Sequence, residues 1–305
     1  MKRAVRIGLF VAALVFLAFT FVNAAWLAPR PVGRPGLIAH AAPGGKIGTC
    51  DTLPGAARYP VLPDNSLRAI IDARQLGAAM IEVAIAADGR VAPAKCAASY
   101  GPRPTLAQVV QTARPKPLLF TLTGSDPRAA DRLTADLEAI GRDPVASRDA
   151  FYAVAEAGPL ARMRTLEPGA WVFSAERARA CTAAYRTAGW FGILPDACKG
   201  GTMMIPLDRQ KSMGGWPDRL LERMSDAGGH VIVTGPEASG DGPTGDPRGL
   251  DLPEQFGEIP DSFNGFIWVD DLWNLGPALF PSRDNRRAAE QDAGEAAIKA
   301  RRAAR

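Results

Sequence analysis

The feature that most constrains the fold is an alternation, eight times over, of short apolar runs with helical patterns. The runs occupy residues 37–40, 80–85, 118–123, 150–154, 170–174, 203–207, 230–234 and 265–270. They are continuous rather than alternating in polarity, which is the pattern of strands buried on both faces. Between them lie stretches with apolar residues at helical spacing: 65–76, 105–113, 129–140, 158–166, 175–188, 217–227 and a short 253–259. In the first of these, Leu67, Ile70, Ile71 and Arg74 follow Asn65 or Ser66, either of which can cap the helix. Such alternation predicts a parallel sheet covered by helices, and right-handed crossovers close eight units into a (β/α)8 barrel. An open doubly wound sheet is the alternative topology.

The two ends of the 305-residue chain lie outside this pattern. Lys2, Arg3 and Arg6 precede an apolar run over residues 7–28. At about 22 residues and about 33 Å as a helix, the run matches the hydrocarbon core of a bilayer. Its basic flank predicts a cytoplasmic N-terminus with the remainder exported. The run reads as an uncleaved anchor. Val22 and Ala24 also fit a signal-peptide cleavage site, which would release the barrel to the periplasm, and a buried core helix is a further reading. A Pro-rich linker, 29–36, leads to the barrel at 37–281. The tail, 282–305, has seven basic and four acidic residues and almost no large apolar ones, so a disordered or fraying helical segment is expected.

Composition narrows the function. The formal charge of +4 is modest, and no basic stripe with interleaved aromatics appears, so nucleic acid is not expected as a partner. Four cysteines in an exported chain favour disulfides, and with only two histidines and no Cys-x-x-Cys a zinc site is disfavoured. Three pairings exist. Cys50 with Cys96 and Cys181 with Cys198 is favoured because each pair flanks one local excursion; free buried thiols are the alternative. Closing the second loop would stabilise the fold by about 3 kcal/mol.

The densest chemical signal lies between Leu37 and Gly89. A strand ends in His40, Pro63-Asp64-Asn65-Ser66 opens a helix, a second strand carries Glu82, and Asp88-Gly89 forms a turn. These residues resemble the opening motifs of the glycerophosphodiester phosphodiesterase family, of the phospholipase-C-like barrel type. The tryptophans at 171, 190, 216 and 268 extend the resemblance to a membrane-anchored bacterial branch. It implies phosphodiester hydrolysis in lipid metabolism, with two histidines as acid and base and three carboxylates holding a divalent cation.

Several positions depart from that pattern. The Arg-Gly after the first histidine is Ala41-Ala42, which removes a forked phosphate donor. The second metal carboxylate, two residues after Glu82, is Ala84, and the third is replaced at Thr121. No histidine follows Asp88-Gly89, and Asp64 stands where a longer Glu is usual. One carboxylate holds a hard cation poorly, so Glu82 is a weak metal ligand, and Ca²⁺ or Mg²⁺ is expected only if the protein is active. His230 opens the seventh strand and so belongs at the far end of the barrel. Asp208, Asp270 and Asp271 bring acids to the catalytic face, though spacing does not show that they converge. The loop after the seventh strand, residues 235–249, reads as a mobile lip.

The expected protein is therefore a membrane-tethered barrel, catalytically impaired, with His40, Glu82 and Asp64 as site remnants. Its expected role is to bind a glycerophosphodiester, phospholipid head group or glycan, or to act as a scaffold. The competing reading is an active phosphodiester hydrolase with a rebuilt His40/Glu82 site. A third is a purely interaction role at the membrane.

Overall fold

The computed structural model describes residues 2–40, 65–92, 103–156, 158–237, 240–241, 245–284 and 286–303. Eight parallel strands form one sheet: β1 (Gly36–Ala39), β2 (Met80–Ile85), β3 (Leu118–Leu122), β4 (Ala150–Ala153), β5 (Trp171–Ser174), β6 (Thr202–Pro206), β7 (His230–Thr234) and β8 (Phe266–Val269). Their order is β5-β4-β3-β2-β1-β8-β7-β6, so first and last strands pair and the sheet curls into a nearly closed TIM barrel. At the remaining seam, between β5 and β6, the Trp171 indole N–H donates to Thr202 Oγ1 at 2.9 Å.

Helices cover the outside. They are α1 (Lys2–Asn23), α2 (Leu67–Gln75), α3 (Leu106–Ala113), α4 (Arg128–Ala139), α5 (Pro144–Ser147), α6 (Pro159–Leu166), α7 (Ala175–Ala188), α8 (Asp218–Asp226), α9 (Pro253–Phe256), α10 (Leu272–Leu279) and α11 (Ala288–Ala303). Of the two candidate caps for α2, Ser66 is the one used, its hydroxyl accepting from Ala69 N. Asn65 instead takes a left-handed conformation, φ +62°, and its Oδ1 accepts from Ala84 N at 2.8 Å. It thereby staples the start of α2 to β2.

Strand periodicity divides the core. Ile38, Met80, Leu119, Tyr152, Phe173, Met204, Ile232 and Trp268 fill the barrel interior, while their sequence neighbours pack against the helices. At the start of β4, the buried Arg142 guanidinium forks onto Asp149 at 2.6 Å to each oxygen, and Asp149 Oδ1 also accepts from Leu118 N at 2.7 Å. Cys181 in α7 is disulfide-bonded to Cys198, their Cα atoms 4.8 Å apart. Cys50 and Cys96 lie outside the described residues.

The tail takes the helical of the two states that its composition suggests, with one face packed on the barrel. Residues 288–303 form α11, which lies against the barrel. Arg301 bonds to Asp271 and Arg302 forks onto Glu254, while Gly294 lets the helix approach Asn274 closely. Composition misses this because small residues, Ala293 and Ala297, supply the packing face. The two ends of the loop after β7 are joined at its base. Gly235 N donates to Arg248 O at 2.7 Å, and Leu250 bridges to Val269 in parallel register.

Candidate active site at the barrel mouth

His40 follows the last residue of β1 and keeps that strand's inward register, its backbone N–H held by Val269 O at 2.9 Å. Its imidazole lies between two carboxylates. Nδ1 is 2.7 Å from Asp270 Oδ1, and Nε2 is 3.6 Å from Glu82 Oε2. Below the ring lies Trp268, with centroids 4.7 Å apart. Burial by itself would push the imidazole down, but Glu82, Asp270 and Asp246 outweigh it and raise His40 to about 9. At neutral pH this side chain is an imidazolium, a proton donor and not a base.

The other oxygen of Glu82 accepts from Thr121 Oγ1 at 2.5 Å. Thr121, expected from the resemblance to replace a metal carboxylate, donates a hydrogen bond to Glu82. Tyr152, one layer along β4, donates its hydroxyl to Asp246 at 3.0 Å. Burial, together with Asp246, raises the phenol well above its usual range. Asp246 lies in the Gly- and Pro-rich loop after β7. No sequence periodicity marks it there; the inward polar tip of Tyr152, which needs a partner, was the only hint.

Of the acids expected at the mouth, Asp270 alone engages His40. Asp271 caps α10 through Asn274 N at 3.1 Å, and Asp208 accepts from Glu237 N at 2.9 Å on the surface. Arg103 forks onto Asp88 of the turn after β2, and this pairing lowers the Asp88 carboxyl to about 2. Asp64 and Lys95 lie outside the described residues. His230 sits at the opposite end, against Trp171 at 4.2 Å, and its burial pushes the imidazole down.

A divalent ion does not fit this donor set. Glu82 faces an imidazolium on one oxygen and a hydroxyl on the other, and Ala84 offers no ligand. His40 lies between Glu82 and Asp270, so the two carboxylates converge on the ring. Among the described residues, no group of three or more His, Cys, Asp or Glu is placed to hold a metal ion.

Between α7, the end of β6 and the loop after β7 lies a cleft of about 430 Å³ whose wall includes Arg179, Arg186, Arg209 and Arg248. Two of these are neutralised, Arg179 by Asp241 and Arg209 by Glu237. Arg186 and Arg248 have no ion pair among the described residues. Met204, Pro206 and Thr234, which follow the inward register of β6 and β7, also line the cleft.

No protein-family model matches the sequence, and no curated protein matches it. Among solved structures, a glycerophosphodiester phosphodiesterase from Parabacteroides distasonis is similar at 16% identity and a TM-score of 0.48, over 82% of this chain and 98% of that chain.

Proposed function

We propose that this protein is a membrane-tethered barrel of the glycerophosphodiester phosphodiesterase type that binds a phosphorylated polyol without hydrolysing it efficiently. The observation that carries the reading is His40 clamped between Asp270 and Glu82, with Ala84 and Thr121 where the family motif has metal carboxylates. Metal-assisted hydrolysis needs an ion to neutralise the phosphoryl oxygens. Here the charge opposite Glu82 is already supplied by an imidazolium.

The described mouth gathers Glu82, Asp246 and Asp270 around His40, and a polyol would be read there through hydroxyl contacts. The adjoining cleft supplies Arg186 and Arg248 for the phosphate. A glycerophosphodiester or phospholipid head group would place its phosphate there and its polyol toward the mouth; an uncharged glycan would use the mouth alone. The N-terminal charge pattern favours export of the barrel, and the resemblance to a membrane-anchored bacterial branch makes the inner membrane, with the barrel in the periplasm, the proposed setting.

The test is to incubate the purified full-length protein with glycerophosphocholine and Ca²⁺ or Mg²⁺, and to measure binding in parallel. Saturable binding weakened by Arg186→Gln or Arg248→Gln, without turnover, supports the reading. Turnover abolished by His40→Ala would overturn it. That outcome would favour the second reading, a rebuilt hydrolase in which Asp270 orients His40 as general acid.

A further inference from the structure

The N-terminal helix does more than precede the barrel. Residues 3–23 are long and apolar enough to cross a membrane. The last turn of this helix is fastened to the barrel wall by four separate contacts. Phe19 stacks on Trp190 at 5.8 Å, and Asn23 Nδ2 donates to Trp190 O at 2.6 Å. The Arg223 guanidinium donates to Val22 O at 2.7 Å, satisfying one of the carbonyls that a helix leaves open at its C-terminus. Gly192, at φ +76°, faces Val22 so closely that an added Cβ would lie 2.6 Å from its side chain. The chain thus provides a stacking partner, two hydrogen bonds and a missing side chain at one place.

Three large apolar side chains near this joint are exposed. Trp26 is 78% exposed, Phe191 71% and Ile193 58%. Aromatic side chains at the end of an apolar span are the composition of a membrane interface. The excursion bearing Trp190, Phe191 and Ile193 follows α7, which starts at the mouth and runs away from it for 14 residues, about 21 Å. From α1 the chain continues along α8, where Pro29 and Pro31 share a cleft with His230 and Phe266, both at strand starts. The joint therefore lies at the end of the barrel remote from the mouth.

We infer that residues 190–193 form a second lipid contact, a foot that enters the bilayer interface beside a retained α1 and turns the mouth away from the membrane. The inference rests on the reading of α1 as an anchor. It also assigns a consequence: ligand reaches the mouth from the aqueous compartment and not by lateral entry from the lipid. Cleavage after Ala24 would remove Phe19, Val22 and Asn23, and with them every contact of the joint.

The test uses the full chain in phosphatidylcholine–phosphatidylglycerol vesicles, with and without brominated acyl chains. A reporter introduced by Phe191→Trp is expected to lose most of its added emission in brominated vesicles, while one introduced by Ser125→Trp on the mouth side keeps its own. Gly192→Val, which pushes the foot off α1, is expected to restore the emission at 191. Equal emission from both reporters in protein that still sediments with vesicles would overturn the foot and leave the anchor standing. Protein that no longer sediments and begins at Ala25 would overturn the anchor reading itself, and the foot with it.

Discussion

The His40 imidazole and the Asp270 carboxylate, 230 positions apart in the chain, meet at 2.7 Å across the β1–β8 pairing that closes the barrel. The contact joins the first strand to the last, so the site forms only when the sheet closes. Barrel closure and the charge state of the mouth are thereby one event.

His40 should make stability depend on pH in a defined window. Its folded-state value, about 9, lies above the usual 6.5, so its contribution is fully present below pH 6.5 and is lost as pH rises through 9. The difference corresponds to about 3 kcal/mol. Urea midpoints are expected to fall between those two values, and His40→Gln should flatten the slope. Because the chain has two histidines, imidazole proton signals report directly: one is expected to titrate near 9 and the other below the usual range.

Asp270→Asn retains the shape of the side chain and removes its charge. The histidine signal near 9 should move down, and the fold should lose about 3 kcal/mol, the scale on which a buried pair loses one partner. Asp208→Asn, at a surface acid that touches Glu237 N and not His40, should leave that signal in place. Equal effects of the two substitutions would show that long-range charge and not the direct contact sets the imidazole.

The misfit of a divalent ion can be probed by gain. Calcium titration of the native chain is expected to show no saturable binding at the mouth. Ala84→Asp places a carboxylate two residues from Glu82 on the same face of β2, and His40→Gln releases Glu82 from the imidazolium. The double variant should bind calcium measurably by calorimetry while either single change does so weakly.

Away from the mouth, Arg142→Ala strands Asp149, which is completely buried, and should destabilise the fold by about 3–5 kcal/mol in urea. Arg142→Lys should recover only part of this loss, because an ammonium cannot make the forked contact.

Opening the Cys181–Cys198 disulfide, whose ends are 17 residues apart, should cost about 3 kcal/mol by the chain-entropy model. Cys181→Ser measured against Cys198→Ser separates the cross-link from packing: similar losses point to the cross-link.

The amino-acid sequence determined the eight strands and the layer that each strand residue would occupy, though not α5, α10 or the packing of α11. Apolar runs and helical spacing are local, and the two-residue period of a strand sends His40, Glu82, Thr121 and Asp270 inward once the barrel is granted. It also marked the apolar N-terminal run, since that is a matter of residue identity. What only the tertiary structure decided is which groups meet. Asp270 and Asp271 are adjacent acids with equal claims in the chain, yet one turns inward to His40 and the other caps α10. Asp246 reaches Tyr152 from an irregular loop, and Arg223 reaches the end of α1 across 201 positions. Such pairings depend on closure and loop path, which no periodic signal encodes, and their strength depends on burial that exists only in the folded protein.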